Sequence, residues 1–199
     1  TLKDAKAVMT LLDPTLGPRS NNPDNELAFD FALAVTSNGT AVLQNFEYAY
    51  NAYQTWQKTG FMPTNWKQGG ERNNAMRNAF AFYNTYTDLF NRGEITLSIN
   101  DFFNKEMTRG ELTAFVDEFN ATHNTSVTVP TKDAVDTMVN GSYILGPKIG
   151  QGFYQNLRGN YDNLTADMWW MRMWNRQIGR PFEPEKSEKD MAKNRDIIV

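Results

Sequence analysis

The sequence predicts an all-α protein. Apolar residues recur at helical spacing through most of its length, strand-like alternation is scarce, and clusters of glycine, proline and asparagine punctuate the helical runs. Leu27, Phe31, Ala34 and Val35 form one stripe, and Val42, Phe46, Ala49, Tyr50 and Tyr53 a second, with Ser37, Asn38 and Gly39 as the turn between them. Gly60 to Gly70, with Pro63, separates these two core helices from a third, long one marked by Met76, Ala79, Phe80, Tyr83 and Phe90. Leu112, Phe115, Val116 and Phe119 mark a shorter fourth, begun near Thr108. Ile95 to Ile99 and Val127 to Val129 are the only strand candidates, so at most a vestigial strand pair is expected.

The second half reads as three further helices. One should start at Thr131, whose hydroxyl can cap free amides after Pro130, and run through Val135 and Met138 to Gly141. After a short turn the next begins at Pro147, which has no amide to leave unpaired, and shows Phe153, Tyr154 and Leu157 as its apolar face. The last starts near Thr165 and carries Trp169, Trp170 and Trp174; the trio reads first as core, with Trp169 pointing away from the face shared by the other two. Beyond Pro181 the chain turns charged and polar, so residues 1–183 are expected as a single domain and 184–199 as a peripheral tail.

Composition narrows the chemistry. With 199 residues, 40% of them hydrophobic, there is apolar material for one sizeable core or two small lobes sharing a cleft. There are no cysteines, which excludes thiolate zinc sites and iron–sulfur clusters, and one histidine, His123, which excludes a multi-histidine metal centre. No metal or cofactor is expected, and any catalysis must run on carboxylates, lysine or hydroxyls. No apolar run approaches the ~18 residues of a membrane span, and no signal-peptide pattern is present, so a cytoplasmic protein without a membrane partner is expected, acting as a monomer. The net charge is −3, yet residues 141–180 carry +3 against −6 for the remainder. A local basic face on an acidic body suits a narrow phosphate contact.

Within residues 131–180, Lys148 heads one predicted helix and Asp167 the next. The positive end of a helix disfavours a further positive charge, which pushes a lysine towards its neutral, nucleophilic form. The unpaired amides there also bind phosphate. An aspartate at a helix start is kept ionised, as a base or an anionic stabiliser must be. Each residue alone reads more readily as an ordinary helix-start charge; their joint placement makes them a candidate catalytic pair.

At these residues the chain resembles the helix-hairpin-helix DNA glycosylases. Gly146-Pro147-Lys148 looks like the end of that family's glycine-turn-glycine hairpin, which bears the imine-forming lysine in bifunctional members. Lys148 precedes Asp167 by 19 positions, similar to the interval in members such as 8-oxoguanine DNA glycosylase and endonuclease III. Arg172 and Arg176 follow the aspartate by five and nine residues, with Asn175 before the second, as in the family's segment after its aspartate. The Thr36-to-Thr40 turn followed by Gln44 and Asn45 looks like the polar helix start that many members place near the extruded base. The sequence departs from the pattern at Ile144, where the first hairpin glycine usually stands, at Trp169 in place of a histidine, and at Gly150 in place of a small alanine.

The resemblance implies a two-lobed helical glycosylase fold acting on DNA in a bacterial or phage-infected cell. Lys148 would attack C1′ of the sugar as a damaged or modified base departs, with Asp167 stabilising the cationic transition state. Gly146, Pro147, Ile149, Gly150, Arg172 and Arg176 would contact DNA, and Ser37, Gln44, Asn45 and Trp169 would neighbour the base. Two alternatives remain open at this level: an enzyme modifying or transferring hypermodified pyrimidines in phage DNA, and a catalytically silent DNA-binding module, since a fold alone does not establish activity.

Overall fold

The computed structural model describes residues 23–162 apart from 69, 71 and 72. They all belong to the first of two units into which the chain divides, Thr1–Thr165 and Ala166–Val199. The predicted helix from Thr165 and the charged tail lie outside the described residues. Those described are mainly helical, with one two-stranded antiparallel sheet.

Helix α1 (Pro23–Thr36) opens on a proline, with Asp24 and Glu26 in its first turn to complement the positive helix end. Nearly every residue from Leu27 to Thr36 is buried, so α1 is the central helix rather than an amphipathic cover. Helix α2 (Val42–Thr59) lies against it through Ala49, Ala52 and Tyr53. The predicted stripe is rotated there: Phe46 and Tyr50 are half-buried, while Val42 is 85% exposed. The α2 end is closed by Gly60 at φ +77°, whose amide donates to the Trp56 carbonyl at 2.7 Å.

Helix α3 (Asn73–Asn91) buries Met76, Ala79, Phe80 and Tyr83 as predicted, and Phe82, Tyr86 and Leu89 on a second face. Two aromatic clusters result. On the α1 side, Phe31 stacks on Tyr83 at 4.5 Å and on Phe103 at 5.7 Å, and Phe103 meets Tyr154 edge-on at 5.3 Å. On the other side, Phe82 meets Phe119 at 4.8 Å and Phe102 lies between Tyr86 and Phe115 at 5.1 and 5.0 Å. Phe102 and Phe103 come from α4 (Ile99–Asn104), a short helix with Ser98 as its cap that the periodicity does not reveal. His123, the last residue of the helix that follows, closes the second cluster with its ring 4.7 Å from Phe119.

Helix α5 (Arg109–His123) starts where predicted. Thr108 caps it reciprocally: its hydroxyl accepts from the Glu111 amide at 3.2 Å, and the Glu111 carboxylate accepts from the Thr108 amide at 2.7 Å. Strand β1 (Glu106–Thr108) immediately precedes α5 and pairs with β2 (Met138–Asn140), Glu106 facing Asn140 and Thr108 facing Met138. A single vestigial pair is present as expected, but in neither predicted segment. Ile99 opens α4, and Val127 is held without a ladder by the side chain of Asn120, whose Nδ2 donates to the Val127 carbonyl at 2.7 Å.

The helix predicted from Thr131 to Gly141 does not form. Its carbonyls are taken by the start of α5: Arg109 N–H donates to Thr137 and Gly110 N–H to Val135, both at 2.8 Å, and Arg109 Nε donates to Ala134 at 3.2 Å. The orphan amides of one helix thus hold this stretch open, and Met138–Asn140 joins the strand pair instead. Val135 and Met138, the apolar residues on which the helical reading rested, are 62% and 58% exposed.

Removing the Thr108 hydroxyl should cost about 1 kcal/mol, read as a lower denaturant midpoint for Thr108→Ala near neutral pH. The Thr108 amide first, and its hydroxyl second, hold the Glu111 carboxyl below its ordinary value of 4.5. This cap therefore contributes its stability above that value and loses it as pH falls through the lower, folded-state one. Glu111→Gln should remove that acid-side loss; an unchanged acid limb would show that the cap carries none of it.

Candidate functional site

The chain enters the candidate site from β2. Residues Gly141–Leu145 form a turn of 3-10 helix, Gly146 reverses the chain, and a π-helix over Pro147–Tyr154 runs into a last α-helical turn, α6 (Gln155–Leu157). Gly146 sits at φ +98°, ψ 155°, a conformation essentially confined to glycine. Its amide donates back to Tyr143 at 2.8 Å, and its carbonyl accepts from Gly150 at 2.7 Å. The chain therefore reverses tightly at Gly146, but the arm before the reversal is a strand and a 3-10 turn where the sequence predicts an α-helix.

Departures from the glycosylase pattern have local physical reasons. A Cβ built on Gly150 would lie 1.7 Å from the Ser142 carbonyl oxygen, so the two arms touch backbone to backbone and alanine does not fit. A Cβ on Gly141 would lie 2.1 Å from the Phe102 carbonyl oxygen, which presses the first arm onto α4. Ile144 has an ordinary negative φ and is buried, filling space between the hairpin and the core.

Side chains lock this geometry. The buried Ser142 hydroxyl donates to the Gly150 carbonyl at 3.0 Å and accepts from Gln155 Nε2 at 2.9 Å, and the same Gln155 amide reaches the Phe103 carbonyl at 3.0 Å. Gln151 makes a two-point contact with Asn140, both bonds 2.9 Å. Arg158, following α6, pairs with the buried Asp30 of α1 at 3.0 Å. The Tyr143 hydroxyl donates to Asp133 in the open 131–137 stretch. Burial first, and that carboxylate second, push its phenol up to about 12.

Lys148 is exposed in the first turn of the π-helix, beside exposed Pro147. The amides of Lys148 and Ile149 lie in the turn that has no intrahelical partners. Ile149 is half-buried and lines a cleft of about 90 Å³ together with Ile144 and Leu145. The rest of the lining comes from Val35 and Asn38 at the α1–α2 junction, from the first turns of α3, and from Ser126, Val127 and Thr128 in the loop after α5. The hairpin helix and the Ser37–Thr40 turn, far apart in sequence, thus border one cleft.

The other predicted site residues are placed differently. Ser37 spends its hydroxyl on the Ala34 carbonyl at 2.7 Å, Gln44 is exposed at the start of α2, and Asn45 is buried with Oδ1 accepting from Thr36 at 2.6 Å. None of the three lines the cleft; Asn38, which sequence reasoning passed over, does. The Gly39 positive φ of +73° beside it is the signal that could have drawn attention to Asn38. Asp167, Trp169, Arg172 and Arg176 lie outside the described residues. Among those described, no group of three or more histidine or carboxylate side chains could hold a metal ion, and no helix is long and apolar enough to cross a membrane.

Gly150→Ala should destabilise the protein by about 3 kcal/mol, at the upper end of overpacking costs. Gly146→Ala meets nothing within 4 Å and should act through backbone strain alone, at about 1–3 kcal/mol. Denaturant midpoints test both; an unaltered midpoint for Gly150→Ala would show that the hairpin arms do not touch in solution.

Comparison with family models, with curated proteins and with solved structures finds no match for this chain.

Proposed function

We propose that this protein is a helix-hairpin-helix DNA glycosylase that excises a damaged or modified base, with Lys148 as its nucleophile and Asp167 as the anionic partner. The observation that carries the reading is an exposed lysine in the open first turn of a helix entered through a glycine reversal, beside a cleft. The free amides of that turn suit a DNA phosphate, and the amine has unhindered access to a sugar. The Lys148 Nζ lone pair attacks C1′ as the C1′–N bond breaks; the bond pair leaves on the base, which takes up a proton. Of the two amine protons one goes to the departed base and the other to O4′, as the C1′–O4′ bond breaks, the sugar ring opens and the imine forms.

A second feature supports base extrusion. Val42 and Leu43, at the start of α2 just beyond the Ser37–Thr40 turn, are 85% and 87% exposed. Apolar side chains left in water just after a turn that borders the cleft suit a wedge that enters the base stack and fills the place of the departed base. A cleft of about 90 Å³ takes the edge of a planar ring, and Asn38 offers it both a donor and an acceptor.

The replacement of the hairpin's first helix by a strand and a 3-10 turn favours, as a second reading, a module that holds DNA without chemistry. One assay separates the two. The full chain and its Lys148→Ala variant are incubated with oligonucleotides bearing damaged or phage-type modified bases, and borohydride is added. A covalent adduct with the parent, absent in the variant, is the expected result. Base release without an adduct would leave a glycosylase relying on Asp167, whereas salt-dependent binding with neither would favour the module.

The wedge makes a separate expectation. Leu43→Ala should lower base release from duplex by about tenfold, the effect of about 1.4 kcal/mol, and leave single-stranded substrate almost untouched, because only the duplex must be opened. Equal losses on both substrates would argue against it.

A further inference from the structure

Further along α3 than the residues that line the hairpin cleft, a second and larger cavity of about 510 Å³ opens between the α3–α4 connection and the start of α5. It is within the range of small-molecule sites, about 300–1,000 Å³. Tyr86, Phe102 and Phe115 form its floor, the rings of Tyr86 and Phe102 5.1 Å apart and those of Phe102 and Phe115 5.0 Å apart. Its rim carries Glu94, Glu106 and Glu111 against the single cation Lys105.

These carboxylates are not equivalent. Glu94 is paired with Arg92 at 2.9 Å, and Glu111 is committed to capping α5. Glu106, exposed at the start of β1, has no ion-pair partner among the described residues. Tyr86 is 3% exposed, yet its hydroxyl has no hydrogen-bond partner among the described residues. Burial first, and the charge of Asp101 second, push this phenol up to about 12, so it is protonated at neutral pH and offers lone pairs as well as a proton.

Aromatic faces attract cations, and an acidic rim raises their local concentration. We propose that this cavity binds an organic ammonium ion, its apolar body on the aromatic floor and its charged nitrogen donating to Glu106 and the Tyr86 hydroxyl. The site takes part in no step assigned to the hairpin and stands or falls independently of the glycosylase reading.

Calorimetric titration of the full chain with 2-phenylethylammonium tests it, against 2-phenylethanol as a neutral counterpart and 3-phenylpropanoate as an anionic one. The ammonium is expected to bind about tenfold more tightly than the alcohol, a difference of about 1.4 kcal/mol, and the carboxylate not at all. Glu106→Gln, at an exposed position, should abolish the preference of ammonium over alcohol, and Tyr86→Phe should weaken the ammonium alone. Lys105→Ala should strengthen it. Equal affinity for ammonium and alcohol, a preference that survives Glu106→Gln, or no heat from the ammonium at millimolar concentration would each overturn the proposal.

Discussion

The contact between the Gly150 backbone and the Ser142 carbonyl is the constraint on which the rest of the site depends. Two chain segments that approach this closely leave no space for a side chain on the inner face, so the reversal at Gly146 must be tight and the helix after it must start at once. The same close approach recurs at Gly141 against Phe102, which fixes the hairpin on α4 and, through Phe103 and Phe31, on α1. A backbone packed into the interior brings its polar groups with it. Ser142, Gln155 and the Gln151–Asn140 pair satisfy them from within the hairpin, and a partly satisfied network here would be worse than an apolar one.

The Arg158–Asp30 pair extends this logic to the end of the hairpin helix. Asp30 is buried on the central helix, where an unpaired carboxylate would be expensive, and Arg158 supplies the matching charge from 128 positions away. Such a pair adds less to net stability than a hydrophobic contact of equal size, but it allows one orientation of the hairpin helix on α1 and penalises others. The wide π-helical turns at Pro147–Tyr154 belong to the same picture. They are uncommon in helices and concentrate at functional sites, where local regularity has been given up for placement.

Placement is what the hairpin achieves. It holds Lys148 outward on a short, braced element whose inner face is sealed, and it brings Ile149 into the lining of the small cleft that Asn38 also borders. The larger aromatic cavity is built from a different set of contacts, the Tyr86, Phe102 and Phe115 cluster, so the two concavities draw on different turns of α3 and share no lining residue.

The sequence by itself determined the helices whose stability is local: α1 buries its predicted stripe, α3 and α5 bury theirs except for exposed Phe90 and half-buried Phe115, and α5 begins on the predicted cap, because periodicity and capping act within a few residues. It also located the reversal at Gly146 and the lysine in the following turn, since glycine and proline write their backbone preferences directly into the chain. Tertiary structure alone decided the stretch from Thr131 to Gly141. Its helical pattern is sound, but the amides of Arg109 and Gly110 and the edge of β1 compete for its carbonyls and amides, and partners more than 20 residues away leave no trace in a local pattern. The cleft was hidden for the same reason: Asn38 and Ile149 line one cleft where Gly150 lets the hairpin close against Ser142, a consequence of backbone proximity that no spacing along the chain encodes.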